Sequence, residues 1–385
     1  MKILVVSAGI VSDRRPHGEA LIAFNILSRL ARRGHEVTAY VTEYDDEIPG
    51  VTFKTISAHA PGAALSRLAF ARRAARAARS EQADVHHLLL PLTTDEGYTT
   101  ASGAPLVVGP LMLPWPAGDG GAKPRNRLIS GVARLTLPRY EQHLHARTMR
   151  RASSLMVTCR PALAAIDHDL RGRCVEVPYG VDTTRFTPSP LPGDPVVLFY
   201  SVLLPRKGYR TLLRAFPMVR ERIPRARLIM AGDDPRGLAG QILEEAERLG
   251  IADAVTLRGP VKPADAPMLF REARVFCQPS FGEPFGMTIL EAMASGRPVV
   301  ATAAGGVPGF VRDGEHGRLV QPGDERLLAD ALTSTLVRRE AERIGAHNRE
   351  VAVARYDWER VVDRIEAAYA AAAAGKESPR VRMAG

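Results

Sequence analysis

Two carboxylates eight residues apart, Glu283 and Glu291, stand in the run Glu283-Pro284-Phe285-Gly286-Met287-Thr288-Ile289-Leu290-Glu291. The residues from Met287 to Ser295 predict a helix ended by Gly296, followed by a short buried strand at Pro298-Val299-Val300-Ala301. Glu283 then lies in the loop before the helix and Glu291 about one turn inside it. At ~1.5 Å of rise per residue the acids are roughly 8–12 Å apart, too far for an acid/base couple on one bond. That separation suits anchors at two ends of a long ligand. The N–H groups near Gly286 and Met287 lie between them and can receive an anion.

Further residues bear on the same chemistry. Arg206 and Lys207, in Pro205-Arg206-Lys207-Gly208, put two cations beside a helix start, where they would stabilise negative charge on a bound anion. Gly18 precedes a predicted helix from about Glu19 to Arg33, and its N–H groups offer a second anion site. A plain turn glycine is the competing reading. His86 and His87, expected at a strand end after Asp84-Val85, and His17 beside Gly18 are the candidates for proton transfer near neutral pH. A purely structural role fits the His pair as well. Asp45-Asp46-Glu47 and Asp233-Asp234 sit in hydrophilic turns, so no metal ligand is assigned.

The 283–291 run resembles the E-x7-E motif of retaining GT-B glycosyltransferases of family four. Gln278-Pro279-Ser280 precedes it and Thr302-Ala303-Ala304-Gly305-Gly306-Val307-Pro308 follows at the expected distance. Val177-Pro178-Tyr179-Gly180-Val181-Asp182-Thr183-Thr184-Arg185-Phe186 resembles the family's PNGVD-x3-F segment, with Tyr in place of Asn. The resemblance implies that Glu283 meets the donor sugar, with Phe285, Gly286 and Met287 nearby, and that Glu291 meets the nucleotide ribose. It implies that Lys207 and Gly18 meet the diphosphate, and that Gly232 and Val261 lie at the loops facing the nucleotide. Further positions depart from the pattern: His17 and Ser201 each replace a Gly, Val202 replaces an Arg that Arg206 would stand in for, and Val107 to Leu111 lacks the usual His.

The resemblance further implies a retaining transferase that moves a sugar from a nucleotide-diphosphate donor. Neither a metal nor a cofactor beyond that co-substrate is expected. The first reading of the acceptor is a small molecule, such as a natural-product aglycone or pseudo-sugar. A second is a membrane lipid or polysaccharide. The same fold also serves epimerases and phosphorylases, and a degenerate form would only bind nucleotide sugar or nucleic acid.

Elements must position these groups, and strand-helix alternation points to an α/β chain with parallel sheets, whose ligands bind at the strands' C-terminal ends. Strands are predicted at Lys2–Ser7, Glu36–Thr42, Asp84–Leu89, Pro105–Gly109 and Ser154–Thr158. After the linker Pro188 to Pro195 they recur at 195–200, Arg227–Ala231 and Ala254–Arg258. Helices are expected at Tyr209–Arg222 and Leu238–Leu249. The expected architecture is GT-B: two Rossmann-like doubly wound domains facing a cleft. The boundaries expected are 1–187 for the acceptor side, 188–355 for the donor side, 356–375 for a helix crossing back to the first domain, and 376–385 for a tail.

The 385 residues suffice for two domains with proper cores, and 45% hydrophobic with 24% charged residues is ordinary for a globular chain. Three separated cysteines and the absence of a long apolar run point to a cytosolic setting. The net charge of +10 raises nucleic acid or anionic lipid as partners. The 46 Arg against 6 Lys, without a nucleic-acid motif, argue for genome composition and against a specific nucleic-acid partner. Arg67, Arg72, Arg73, Arg76 and Arg79, on a helix with Leu65, Leu68, Ala69 and Phe70, provide a reading with peripheral contact at the inner membrane face. Leu111 to Lys123, with Trp115, is expected to be an acceptor loop.

Overall fold

Strands of apolar residues carry both sheets, because a parallel sheet is covered on both faces. In β1 (Lys2–Val11) five successive residues, Ile3 to Ser7, are buried, and in β8 (Val196–Tyr200) the first four are. The computed structural model describes residues 1–15, 18–57, 63–90, 103–113 and 142–375. The tail from 376, His17 and Trp115 lie outside the described residues, as do the side chains of Leu65 and Arg67.

The first sheet contains β1, β2 (Glu36–Tyr44), β3 (Val51–Thr55), β4 (Val85–Leu89), β5 (Leu106–Leu111), β6 (Ser154–Val157) and β7 (Cys174–Glu176), in the order β3-β2-β1-β4-β5-β6-β7. The second contains β8, β9 (Arg227–Ala231), β10 (Val255–Gly259), β11 (Val275–Gln278), β12 (Val299–Thr302) and β13 (Gly317–Val320), in the order β10-β9-β8-β11-β12-β13. Neighbouring strands pair in parallel throughout. Each order reverses direction beside its first strand, the doubly wound pattern that opens a crevice at the strands' C-terminal ends. In the second sheet that point lies between β8 and β11.

The described helices are α1 (Gly18–Arg32), α2 (Ala63–Ala77), α3 (142–151), α4 (Arg160–Ala164), α5 (Tyr209–Arg222), α6 (Ala239–Arg248), α7 (Ala266–Glu272), α8 (Met287–Ala294), α9 (Glu325–Thr335), α10 (Arg338–Val351) and α11 (Trp358–Ala373). Contacts divide the chain into two units. Among the described residues, one comprises those within 1–112, 142–179 and 359–375, and the other 113 and 180–358.

The body of α11 therefore belongs to the first unit. Arg33 ties it there through Asp363 at 2.8 Å, Glu366 at 2.6 Å and Glu359 at 2.8 Å. In the second unit the core is built from Val197, Phe199, Leu212, Phe216, Leu228 and Leu332, which join β8, β9, α5 and α9.

β1 runs on to Val11 instead of stopping at Ser7, with a register shift after Ser7 where Gly9 interrupts the apolar run. β4 ends at Leu89 as expected, so His86 and His87 lie in mid-strand instead of at its end, and both are buried.

Candidate functional site

The site grows from the two loops at the second sheet's switch point. After β8 the chain makes a tight turn at Pro205–Lys207 and passes through Gly208 at φ 74°. A Cβ on Gly208 would stand 1.8 Å from the Pro279 carbonyl oxygen, so only glycine lets this loop lie against the one after β11. The Phe281 N–H donates to the Arg206 carbonyl at 2.8 Å and fixes the same approach. Lys207 Nζ consequently reaches Glu283 Oε2 at 2.6 Å, with both side chains under one-tenth exposed.

Three donors converge on that one oxygen: Lys207 Nζ, Gln278 Nε2 at 2.5 Å and Ser280 Oγ at 3.4 Å. Glu283 Oε1 takes no hydrogen bond from the described residues. From the other side, the Gly306 N–H donates to the Glu283 carbonyl at 2.8 Å. A Cβ on Gly305 would come within 2.2 Å of that carbonyl, which explains the glycine at 305.

α8 opens at Met287, behind Gly286 at φ 102°. Helix geometry leaves its first N–H groups without intrahelical partners, and the helix dipole gives that end positive character. The Phe285 ring is buried and stacked on Phe310 with centroids 4.8 Å apart, so only its backbone can serve a ligand. Glu291 lies in the second turn. The residue is partly exposed, but its Oε2 is closed off from solvent and has no hydrogen-bond partner. Desolvation pushes this carboxyl up to about 8, against a smaller opposing pull from Arg185. Tyr200, at the end of β8, feels the same environment, and its phenol is held above the usual range by burial and by Glu291 and Asp233.

The remaining candidates spread outward. Arg206 is partly exposed on the Lys207 turn. Gly232 follows β9 and donates to the Gly259 carbonyl at 2.8 Å, and Val261 is partly exposed just beyond β10. Gly18 is the exposed first residue of α1, in the first unit.

The His pair is placed differently from the sequence expectation. His87 is fully buried; its Nε2 donates to the Gly109 carbonyl at 2.8 Å, so its Nδ1 accepts from the Tyr369 hydroxyl at 2.6 Å. With both nitrogens committed, the ring bridges β4, β5 and α11. Burial drives His87 and His86 each down to about 4, so both are neutral at physiological pH.

Among the described residues one group has metal-ligand composition, Glu315, His316 and His347. His316 Nδ1 accepts the Arg312 N–H at 2.9 Å, which leaves the proton on Nε2. A metal-bound imidazole needs the reverse, a lone pair on one nitrogen and a donated proton on the other.

Sequence reasoning assigned no role to Gln278, Thr288, Arg185 or Tyr200. Gln278 carried a readable signal: it ends the otherwise apolar strand Val275-Phe276-Cys277-Gln278, where a buried amide demands partners.

Comparison with known proteins matches two family models in succession, "Glycosyltransferase Family 4" over residues 18–185 and "Glycosyl transferases group 1" over 194–337. The phosphatidyl-myo-inositol mannosyltransferase of Mycobacterium leprae is 39% identical over 204 residues, 51% of this chain and 53% of that protein. The D-inositol 3-phosphate glycosyltransferase of Nocardia farcinica is 33% identical over 222 residues, 52% of this chain and 48% of that protein. The chain thus spans about half the length of the curated relatives it matches. Among solved structures, sucrose-phosphate synthase from Thermosynechococcus elongatus superposes with TM-score 0.73 at 20% identity, over 96% of this chain and 98% of that one. HepE from Anabaena, solved with UDP and glucose, gives 0.68 at 21%, over 95% and 98%. At such identities these likenesses speak to the fold alone. With both sheets doubly wound and the two matched models taking in most of its length, the chain belongs to the GT-B glycosyltransferases of family four.

Proposed function

We propose that the protein transfers a sugar, with retention of anomeric configuration, from a nucleotide-diphosphate donor to a small polyhydroxylated acceptor. The observation that carries this reading is a pair of carboxylate oxygens, on either side of the start of α8, that take no hydrogen bond from the described residues. Glu283 Oε1 lacks a described donor, and Glu291 Oε2 is buried with none. A donor sugar hydroxyl would answer the first and a ribose hydroxyl the second. Lys207, Arg206 and the N–H groups at Gly286 and Met287 would hold the diphosphate as it leaves. The departing phosphate would take the acceptor's proton on the same face of the sugar, so no histidine is required for that step. Gly18 remains a separate anion-site candidate in the first unit.

Support for a cyclitol-like acceptor comes from the relatives' printed activities, which act on inositol phosphate or phosphatidylinositol. The test is incubation with UDP-, GDP-, ADP- and dTDP-sugars and inositol phosphate, with the product's anomeric configuration read by NMR. A product of inverted configuration would sink the retaining mechanism.

A second reading, a lipid acceptor at a membrane surface, draws on Arg72, Arg73, Arg76 and Arg79, all exposed on and just after α2. No described helix is long and apolar enough to cross a membrane, so such contact would be peripheral. Acidic vesicles that raise turnover of a lipid acceptor, but not of inositol phosphate, would favour it.

A further inference from the structure

We infer that Gln278 and Thr288 are positioning residues that decide which oxygen of Glu283 is presented to the ligand, an inference that rests on the donor-site reading above. Thr288, the second residue of α8, donates its hydroxyl to Gln278 Oε1 at 2.6 Å. The Glu283 carboxylate fixes the amide's orientation, because a flipped amide would set its oxygen against that acceptor-only group, and the Thr288 hydroxyl, donating to the amide oxygen, holds the amide in place. Gln278 Nε2 is therefore the group aimed at Glu283 Oε2, at 2.5 Å. Gln278 is 3% exposed, so the orientation is not traded for water contacts.

Lys207 alone, as a point charge on a flexible stem, would attract either oxygen of the carboxylate. Adding the oriented amide and the Ser280 hydroxyl concentrates the protein's donors on Oε2. Oε1 is left as an acceptor for a ligand hydroxyl or N–H. The relay joins the end of β11 to the first turn of α8, so a ligand anion settling on that helix end and a sugar hydroxyl on Oε1 are held in one frame.

Two kinds of variant test this. Gln278→Glu places a second carboxyl against Oε2, where like charges resist joint ionisation. Its transferase activity should be low near neutral pH and recover toward acid as the two acids share a proton. Thr288→Val should lower kcat by about tenfold while leaving KM within about twofold, and Thr288→Ser should restore it. Parallel pH profiles for the native and Gln278→Glu proteins, or equal losses in Thr288→Val and Thr288→Ser, would overturn the relay.

A readout that needs no substrate keeps this separate from the proposed activity. In ¹³C-Glu-labelled protein, with the Glu283 carboxyl assigned by its loss in Glu283→Gln, the titration midpoint should rise by about one pH unit or more in Gln278→Glu. No change would overturn the relay even if every donor tried failed to react. A rise together with inert donors would instead count against the transferase reading.

Discussion

The buried Oε2 of Glu291 shapes how the protein answers pH. Its carboxyl stands at about 8 when folded, against an ordinary value of 4.5, because burial penalises the charged form. Between those values the folded state keeps a proton that the unfolded chain has released. The stabilising contribution is thus fully present below about pH 4.5 and is lost as pH rises through 8. The melting temperature of the ligand-free protein should fall between about pH 5 and about 8.5, and Glu291→Gln should flatten that fall. Parallel curves would mean that the carboxyl is not desolvated. Glu283→Gln leaves Lys207 buried without its counter-charge and removes the anionic acceptor. Activity is expected to drop by on the order of a hundredfold or more, with the fold retained by circular dichroism.

At the scale of elements, the site depends on two loops touching. Gly208→Ala brings a Cβ to 1.8 Å from the Pro279 carbonyl at a positive φ. It should cost ~2 kcal/mol or more in denaturant melts and disrupt the Lys207–Glu283 pair. Gly18→Ala meets nothing within 4 Å, so it should change stability by well under ~1 kcal/mol. Any activity it loses would then report the anion-site role of α1. Comparable stability losses in both variants would refute this contrast.

The elements around the site were legible because local signals agreed. α5 and β9 run over the residues expected, and α8 begins at Met287 behind its glycine. The strands β3, β7, β11 and β13 were not foreseen. β7 has three residues, and β3 alternates half-buried Val51 and Phe53 with exposed Thr52 and Lys54 at a sheet edge, so neither shows a buried apolar run. The link from Thr288 to Gln278 spans ten residues and exists only once β11 and α8 are packed. The His pair was misread although β4 ends at Leu89 as expected: two polar residues inside a wholly buried strand read from sequence as its cleft-facing end.

For the whole molecule, the C-terminal helix is a fastening of the first unit. The Tyr369 hydroxyl meets His87 within the sheet, and Arg33 gathers three acids from α11. Tyr369→Phe leaves His87 Nδ1 buried and unpaired, and should cost ~1–3 kcal/mol in chemical unfolding. An unchanged midpoint would show that the helix is held by packing and surface charge alone. Much of the excess of arginine is likewise engaged with acids, as Arg15 is with Asp45 and Glu43 and Arg220 with Asp253.

The central claim is that the second unit holds a nucleotide-diphosphate sugar between Lys207, Glu283 and Glu291. A thermal-shift series of the native protein and Lys207→Met against UDP-, GDP-, ADP- and dTDP-sugars, without added metal, tests it most directly. The account predicts that one nucleotide class raises the native melting temperature by several degrees, since a ligand of the folded state must stabilise it, and that Lys207→Met largely abolishes the rise. A folded native protein indifferent to every donor, or an undiminished shift in Lys207→Met, would contradict it.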